Sequence, residues 1–123
     1  MNLYDVSRET MRMFDEYEKI LKEWQKKFNL IGNSTIGKIW SRHFLDSALA
    51  YEELKSSLVE KNKKSFSLID VGTGAGFPGL VIALLFVETK IKCDIYLIES
   101  NKKKIRFLNA VIKSLKLKVT VIN

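Results

Sequence analysis

Residues 70–79 read Asp-Val-Gly-Thr-Gly-Ala-Gly-Phe-Pro-Gly, and the segments on either side of this glycine-rich stretch indicate an α/β fold. The apolar run Phe66 to Val71 leads into it and predicts a short buried strand. Pro78 to Phe86 follows and predicts a helix. Glycines permit positive φ angles and let a ligand approach the backbone closely. Because open α/β sheets bind ligands at the carboxyl ends of their strands, this turn is the first candidate for a binding site.

The rest of the second half repeats the alternation of strand and helix. Ile91 to Ile98 predicts a second strand, Ser100 or Asn101 caps the next helix, and Val119 begins a third strand. The apolar stripe predicted for that helix consists of Ile105, Leu108, Ile112 and Leu115. Strands that alternate with helices favour right-handed crossovers, so we expect a parallel sheet with the strand order 3-2-1.

The first half of the chain has a helical pattern. Apolar residues recur every three or four positions from Ser7 to Phe28, with Ser7 as the N-cap of this first helix. A second helix is predicted for Ile36 to Tyr51, and a third, shorter helix ends near Val59. These elements contain no strand pattern, so we expect them to form a separate helical layer.

A polar stretch without periodicity, Glu60 to Ser65, divides the chain. We predict a helical cap in residues 1–64 and a ligand-binding α/β unit in residues 65–123. The formal net charge is +7, of which +5 falls in residues 65–123. A basic surface attracts phosphates, although a solvated lysine-rich surface accounts for the same charge.

Length and composition exclude several classes of protein. A chain of 123 residues with 46% hydrophobic residues corresponds to about one domain with a packed core. One cysteine and one histidine exclude an intrachain disulfide framework and a metal site built from several such residues, so we expect no metal. The longest apolar run has eight residues, which is too short for a membrane span, and the N-terminus has no signal-peptide pattern. We expect a cytoplasmic protein.

Two classes of ligand fit the glycine stretch. Residues 74–79 match the G-x-G-x-x-G pattern of dinucleotide-binding proteins. A pyrophosphate would be repelled by Asp70, and Pro78 removes an N–H donor at the start of the helix. S-adenosylmethionine has an ammonium, a sulfonium and no phosphate, so it suits Asp70, and Glu99 is placed to accept hydrogen bonds from its ribose. The residues favour this methyl donor, while a dinucleotide and a purely structural turn stay open as alternatives.

Four segments resemble the rRNA small subunit methyltransferase G family, also called glucose-inhibited division protein B. Residues 70–79 are similar to the family's donor loop, and the Phe-Pro-Gly ending is more particular to this family than the glycines. Residues 24–30 resemble a Trp-x-x-x-x-Asn-Leu segment, and residues 42–47 match an Arg-His-x-x-Asp-Ser signature. Residues 103–108 resemble a Lys-Lys/Arg-x-x-Phe-Leu helix. The resemblance covers nearly the whole chain in the family's order and spacing.

The resemblance implies a class I, Rossmann-like fold with an N-terminal helical cap. It also implies methyl transfer from S-adenosylmethionine to N7 of a guanine in 16S rRNA. The donor-binding residues that it implies are Gly72, Gly74, Gly76 and Phe77 on the loop, with Asp70 and Glu99 at the acidic positions for the donor's amine and ribose. No catalytic residue is assigned, because guanine N7 has an available lone pair and loses no proton on methylation.

Five further residues are candidates for RNA contact or for a structural role. His43 lies in the Arg-His-x-x-Asp-Ser signature, and its favoured interpretation is structural: it links the second helix to the glycine loop or caps a neighbouring strand. Arg42 and Asp46 are four residues apart and could pair with each other or meet RNA. Lys103 and Lys104 lie on the helix after the second strand, where a solvated face is favoured over phosphate contact.

The sheet is expected to be incomplete, because a class I methyltransferase sheet normally has seven strands and this chain is expected to stop after the third. By resemblance, the absent segments include the side of the site that faces the acceptor base. We therefore expect little methyl transfer by this chain alone, and self-association through an unpaired edge of the first strand. The alternatives are a donor-binding half that needs a partner and a non-catalytic remnant. The expected partners are 16S rRNA or the 30S subunit, with no membrane.

Overall fold

The computed structural model describes residues 2–123, apart from the side chain of Tyr4. Helices come first along the chain, and parallel strands alternate with helices after residue 64. The elements are a 3-10 turn at Leu3–Asp5, α1 (Arg8–Gln25), a 3-10 segment at Asn33–Lys38, a π-helical segment at Ile39–Phe44, α2 (Leu45–Glu60), β1 (Ser65–Val71), α3 (Gly79–Phe86), β2 (Lys92–Ile98), α4 (Lys102–Leu115) and β3 (Val119–Ile122).

The first helix begins as its sequence predicts and ends earlier. The Ser7 hydroxyl oxygen accepts a hydrogen bond from the Thr10 amide at 3.0 Å, which confirms the N-cap. The helix ends at Gln25 rather than at Phe28. The reason is the Gln25 side chain, whose carbonyl oxygen accepts from the amides of Leu30 at 2.9 Å and Ile31 at 3.1 Å. These bonds turn the chain back and satisfy amides that a longer helix would have satisfied itself.

The second and third predicted helices are wrong in their bounds. A 3-10 segment and a π-helical segment replace the first part of the predicted second helix, and α2 then continues without interruption to Glu60. The Leu45 amide donates to the Trp40 carbonyl, five residues back, which is the π-type bond. The wider turn holds two aromatic rings against Phe14, with centroid distances of 5.5 Å to Trp40 and 5.0 Å to Phe44. Packing against α1 therefore sets the geometry of this segment.

The sheet has the predicted parallel topology. β1 pairs with β2 and β2 pairs with β3, so β2 is central among the strands of residues 2–123. Leu68 is opposite Ile95, and Ile95 is opposite Val119. This order confirms the 3-2-1 arrangement and the α/β class with a Rossmann-like parallel sheet. The predicted division of the chain at residue 64 stays a prediction. Buried residues from both sides of residue 64 belong to one hydrophobic core.

Helices cover one face of the sheet. Every residue of α3 is buried, as expected for a helix that is apolar on all sides, and its Phe86 packs on Phe66 of β1 at 4.9 Å. On α4, the fully buried residues are Phe107, Leu108 and Val111. Of the predicted stripe, Leu108 is fully buried, and Ile112 and Leu115 are partly buried and pack against the core. The prediction missed Phe107, which α4 buries against Trp24 of α1.

The opposite face of the sheet is uncovered within residues 2–123, and the outer strands β1 and β3 each have one side without a partner strand there. Val71 is 74% exposed and Ile69 is 61% exposed on β1, and Ile122 of β3 is 43% exposed. β1 pairs with β2 on one side, and no strand of residues 2–123 pairs with its other side. An apolar face beside a free edge is a surface through which a sheet can associate. No helix among residues 2–123 combines the length and apolar character that a membrane span needs.

Candidate functional site

The glycine loop follows β1 at the carboxyl edge of the sheet, where the sequence placed it. Gly72, Gly74 and Gly76 have φ angles of +71°, +59° and +94°, a region that side chains disfavour. The Gly72 amide donates to the Ile98 carbonyl at 2.8 Å, which ties the loop to the end of β2. The loop is therefore a fixed turn between two neighbouring strand ends.

The loop glycines serve two different purposes. A Cβ at Gly72 or Gly74 would meet no atom within 4 Å, so the backbone there faces open space. A Cβ at Gly76 would lie 2.5 Å from the Tyr17 hydroxyl oxygen, and one at Gly79 would lie 2.7 Å from Asp70 Oδ2. Gly72 and Gly74 thus leave room for a ligand, whereas Gly76 and Gly79 leave room for the protein's own packing.

The Asp70 carboxylate connects the two ends of the glycine loop. Its Oδ2 accepts hydrogen bonds from the Thr73 hydroxyl at 2.7 Å and from the Gly79 amide at 2.9 Å. The Gly79 amide is the first of α3, and Pro78 before it has no N–H. Donors that would bind a pyrophosphate at this helix start are therefore occupied or missing, which disfavours the dinucleotide alternative.

Glu99 joins the end of β2 to the same loop. Its Oε1 accepts from the Gly74 amide at 2.9 Å, and its Oε2 accepts from the Asn101 amide at 2.9 Å. Burial by itself raises the pKa of this carboxyl group, but hydrogen bonds from the Asn101, Gly74 and Ser100 amides and the charge of Lys104 outweigh burial and hold the pKa below its usual value. Glu99 is therefore an anion with fixed oxygens beside Gly74. The position of Glu99 at the strand end could be predicted from the sequence, but its bond to the loop could not.

Tyr17 of α1 holds the loop from the cap side. Its ring is fully buried, and its hydroxyl donates to the Ala75 carbonyl at 2.5 Å. Burial, and then the negative charge of Asp70, raise the pKa of the Tyr17 phenol, so it stays protonated and can donate. Tyr17 also stacks on Phe77, with ring centroids 5.7 Å apart and planes at 11°. This role of Tyr17 could not be predicted from the sequence, because one tyrosine in an apolar stripe has no signal of its own.

Phe77 points its ring at the cap rather than at the open side of the loop. The His43 ring stacks on it at 4.7 Å with an interplanar angle of 11°, and Phe44 meets it edge-on at 5.9 Å. Of the two structural interpretations of His43, the structure contains the link to the glycine loop. Because aromatic neighbours hold the ring of Phe77, a contact between Phe77 and a ligand would involve only its backbone.

His43 is half-buried and has a second partner. Its Nε2 lies 3.0 Å from the Thr35 hydroxyl oxygen. Burial and the charge of Arg42 lower the pKa of the His43 imidazole, and Asp46 opposes this only in part. A shallow groove of about 350 Å³ lies beside this ring, lined by Arg42, His43, Asp46, Ser47, Ala50, Phe77 and Pro78. Arg42 and Asp46 are both exposed at its rim and, within residues 2–123, do not form the ion pair that the sequence allowed.

The two predicted lysines of α4 have different neighbours. Lys104 is close enough to Glu99 to lower the pKa of its carboxyl group. Lys103 has its Nζ 5.8 Å from the centroid of the Phe28 ring. Asn101 is the N-cap of this helix, with its side chain accepting from the amides of both lysines at 2.9 Å and 3.1 Å. No three His, Cys, Asp or Glu side chains of residues 2–123 gather into a group that could hold a metal ion.

The chain matches a known protein family over most of its length. The family model described as rRNA small subunit methyltransferase G matches residues 10–123. The chain belongs to the rRNA small subunit methyltransferase G family. This membership confirms the resemblance of the four segments, and with it the assignment to a methyltransferase fold.

Curated members of the family align over nearly all of this chain. Ribosomal RNA small subunit methyltransferase G of Bartonella henselae is 45% identical over 116 residues, which are 94% of this chain and 50% of the relative. The protein of the same name from Mesoplasma florum is 46% identical over 112 residues, 91% of this chain and 43% of the relative. The one from Cereibacter sphaeroides is 36% identical over 118 residues, 96% and 54% respectively. The chain spans about half the length of these relatives.

Proposed function

We propose an S-adenosylmethionine-dependent methyltransferase activity on N7 of a guanine in 16S rRNA, with the methyl donor bound at the glycine loop of this chain. The observation that carries the proposal is the open backbone at Gly72 and Gly74, flanked by the carboxylates of Asp70 and Glu99. The names of the relatives, ribosomal RNA small subunit methyltransferase G, support the reaction class and the RNA substrate. The expected setting is the cytoplasm, where the 30S subunit is found.

Each carboxylate has capacity for a donor group. Asp70 uses Oδ2 for both of its loop bonds, and we assign its carboxylate to the donor's ammonium. Glu99 accepts the Gly74 amide on Oε1 and the Asn101 amide on Oε2, and the Ser100 amide also stabilises its charged form. Because an ionised carboxylate has about four acceptor positions in all, Glu99 can also accept a ribose hydroxyl without releasing the loop. Gly76 and Phe77 support the turn rather than contact the donor, because Gly76 packs against Tyr17 and both amides donate to the Thr73 carbonyl.

The residues fit a reaction that needs alignment rather than proton removal. Bound S-adenosylmethionine supplies a methyl group on a sulfonium, which is a good leaving group. Guanine N7 is a free acceptor in the major groove and carries no proton. The work of the chain is then to fix the donor rigidly, since misplacement by about 1 Å costs on the order of a hundredfold in rate. No side chain is assigned as a catalytic acid or base.

A donor-binding piece that depends on further protein is the second candidate function. The chain spans about half of its relatives, and the outer edge of β1 has no partner strand within residues 2–123. Under this candidate the chain binds S-adenosylmethionine but transfers its methyl group only when the remaining half is supplied. A chain that binds no donor at all would instead be a non-catalytic remnant.

Calorimetry and a transfer assay separate these candidates. The chain is titrated with S-adenosylmethionine, with its demethylated product and with NAD. The proposal expects binding of the first two and none of the third. Tritiated-methyl transfer to 30S particles is then measured with the chain alone and with a full-length relative as the positive control. Donor binding without transfer supports the donor-binding piece, and tight NAD binding with no donor binding would overturn the proposed function.

A further inference from the structure

The end of α1 and the start of α4 lie side by side. The two helices are antiparallel, because Glu16 is hydrogen-bonded to Ser114 at one end and Trp24 contacts Phe107 at 6.0 Å nearer the other. Lys103 then lies over the Phe28 ring, with its Nζ 5.8 Å from the centroid. Two segments 75 or more residues apart in the chain therefore share one surface.

This surface is strongly basic. We define the basic rim surface as Lys26, Lys27, Lys102, Lys103 and Arg106. All five side chains are exposed, and none takes part in an ion pair within residues 2–123. Two of the lysines are supported by aromatic rings, because Lys27 Nζ lies 5.9 Å from the centroid of Trp24 and Lys103 lies over Phe28. Such support keeps an ammonium group in place while its outer side faces water.

The basic rim surface lies on the same edge of the sheet as the glycine loop. α4 begins at Lys102, and the end of β2 at Ile98 accepts a hydrogen bond from the Gly72 amide. Glu99, which holds Gly74, and Asn101, which caps α4, fill the short connection between them. A polyanion on this surface would thus pass beside the donor loop rather than at the far end of the sheet.

We propose that the basic rim surface binds the sugar–phosphate backbone of the RNA substrate next to the methyl-donor loop. The inference rests on the proposed function, since it names where the substrate of that same site is held. Unpaired, solvent-facing ammonium groups are suited to phosphates, which position a nucleic acid without reading its sequence. Exposed charges rather than exposed apolar side chains define the surface, which favours a polyanion over an apolar partner.

The chain offers a matched control for a charge-reversal test. Lys27→Glu/Lys103→Glu removes the two ring-supported lysines, and Lys63→Glu/Lys64→Glu makes the same net charge change just before β1, at the opposite edge of the sheet. Lys26→Glu/Lys102→Glu is the second rim variant, in case the first perturbs the aromatic contacts. Binding of each to a 16S rRNA transcript is measured by fluorescence anisotropy at several salt concentrations, and circular dichroism checks the fold.

Each phosphate contact contributes a slope of roughly 0.7–0.9 in log affinity against log salt. Loss of two contacts therefore lowers the slope by roughly 1.4–1.8 and weakens binding near 0.1 M salt by roughly twentyfold or more. We expect this for both rim variants and less than about threefold for Lys63→Glu/Lys64→Glu. Equal weakening by the rim and control variants would overturn the proposal in favour of non-specific attraction by net charge, and so would an absence of RNA binding.

Donor titration separates this proposal from the function on which it rests. The rim variants are expected to bind S-adenosylmethionine as the unmodified chain does, because the substituted side chains do not touch the loop. If RNA binding follows the expected pattern and no donor binds, the RNA surface stands and the donor site fails. If the donor binds and the rim variants keep full RNA affinity, the donor site stands and the basic rim surface fails.

Discussion

Removal of one hydroxyl group tests whether the helical cap holds the glycine loop. Tyr17→Phe keeps the ring that stacks on Phe77 and deletes only the hydrogen bond to the Ala75 carbonyl, which is 2.5 Å long. Ala75 is 3% exposed and the Tyr17 ring is fully buried, so water cannot replace the lost donor without opening the structure. The substitution therefore leaves a buried acceptor without that partner.

The expected cost follows from that burial. An unsatisfied buried polar group lowers the free energy of unfolding by about 1–3 kcal/mol. With a urea dependence of about 1–3 kcal/mol per molar, this shifts the unfolding midpoint by roughly 1 M. The effect is also expected to be local. The amides of Gly76 and Phe77, which donate to the Thr73 carbonyl at 3.0 Å and 3.2 Å, should lose protection from hydrogen exchange.

Tyr51→Phe is the matched control. Tyr51 is 4% exposed and packs on Phe86 at 4.8 Å, but no hydrogen bond of its hydroxyl is found within residues 2–123. Urea denaturation followed by circular dichroism should show a change of less than about 0.5 kcal/mol for Tyr51→Phe. If Tyr17→Phe costs no more than Tyr51→Phe, or if the loop amides keep their protection, the cap does not hold the loop through this bond.

Four other predictions concern the loop, its neighbours and the free edge. Gly74→Val should abolish S-adenosylmethionine binding by calorimetry, because a valine resists the φ of +59° and fills the open space; unchanged affinity would make the loop structural only. Glu99→Ala should weaken donor binding by about 1–3 kcal/mol, and full affinity would remove Glu99 from the site. Burial lowers the pKa of His43, so the stability contributed by its neutral imidazole is complete above about pH 6.5 and is lost as the pH falls through the lowered pKa. His43→Gln should therefore flatten the fall in the free energy of unfolding between pH 7 and 5. An unaltered slope would contradict this assignment. Light scattering should show self-association of the chain, reduced by Val71→Lys on the uncovered face of β1, whereas a monomer at all concentrations would show that the edge is protected.

Features that depend on residues close together in the chain could be predicted from the sequence. The N-cap at Ser7, the alternation of strands and helices and the glycine turn follow from local periodicity and from short-range hydrogen bonds. The parallel order follows from the preference of strand–helix–strand units for right-handed crossovers. The family resemblance rests on the same kind of local pattern. The position of Glu99 at the end of β2 could be predicted too, because adjacent parallel strands end at one edge.

The helix bounds show where local pattern stops being sufficient. α1 keeps its apolar period to Phe28, yet it ends at Gln25 because that side chain bonds to amides five and six residues further on. The segment at Ile39–Phe44 reads as an ordinary helix, yet contact of its aromatic rings with Phe14 accompanies a π-helical turn. In both cases a contact outside the period of the helix outweighs the helical preference.

Tertiary structure alone determines which loop glycines face open space and which pack against the protein. In the sequence, Gly74 and Gly76 are equivalent members of one motif. In the folded chain, Gly74 faces open space, whereas a Cβ at Gly76 would collide with Tyr17. The Tyr17 hydroxyl donates a hydrogen bond to the carbonyl of Ala75, 58 residues further along the chain. The meeting of Lys27 and Lys103 on one rim likewise depends on the packing of α1 against α4. Local chemistry determines which elements form, but only their packing determines which distant side chains share a surface, because that depends on the shape of the whole core.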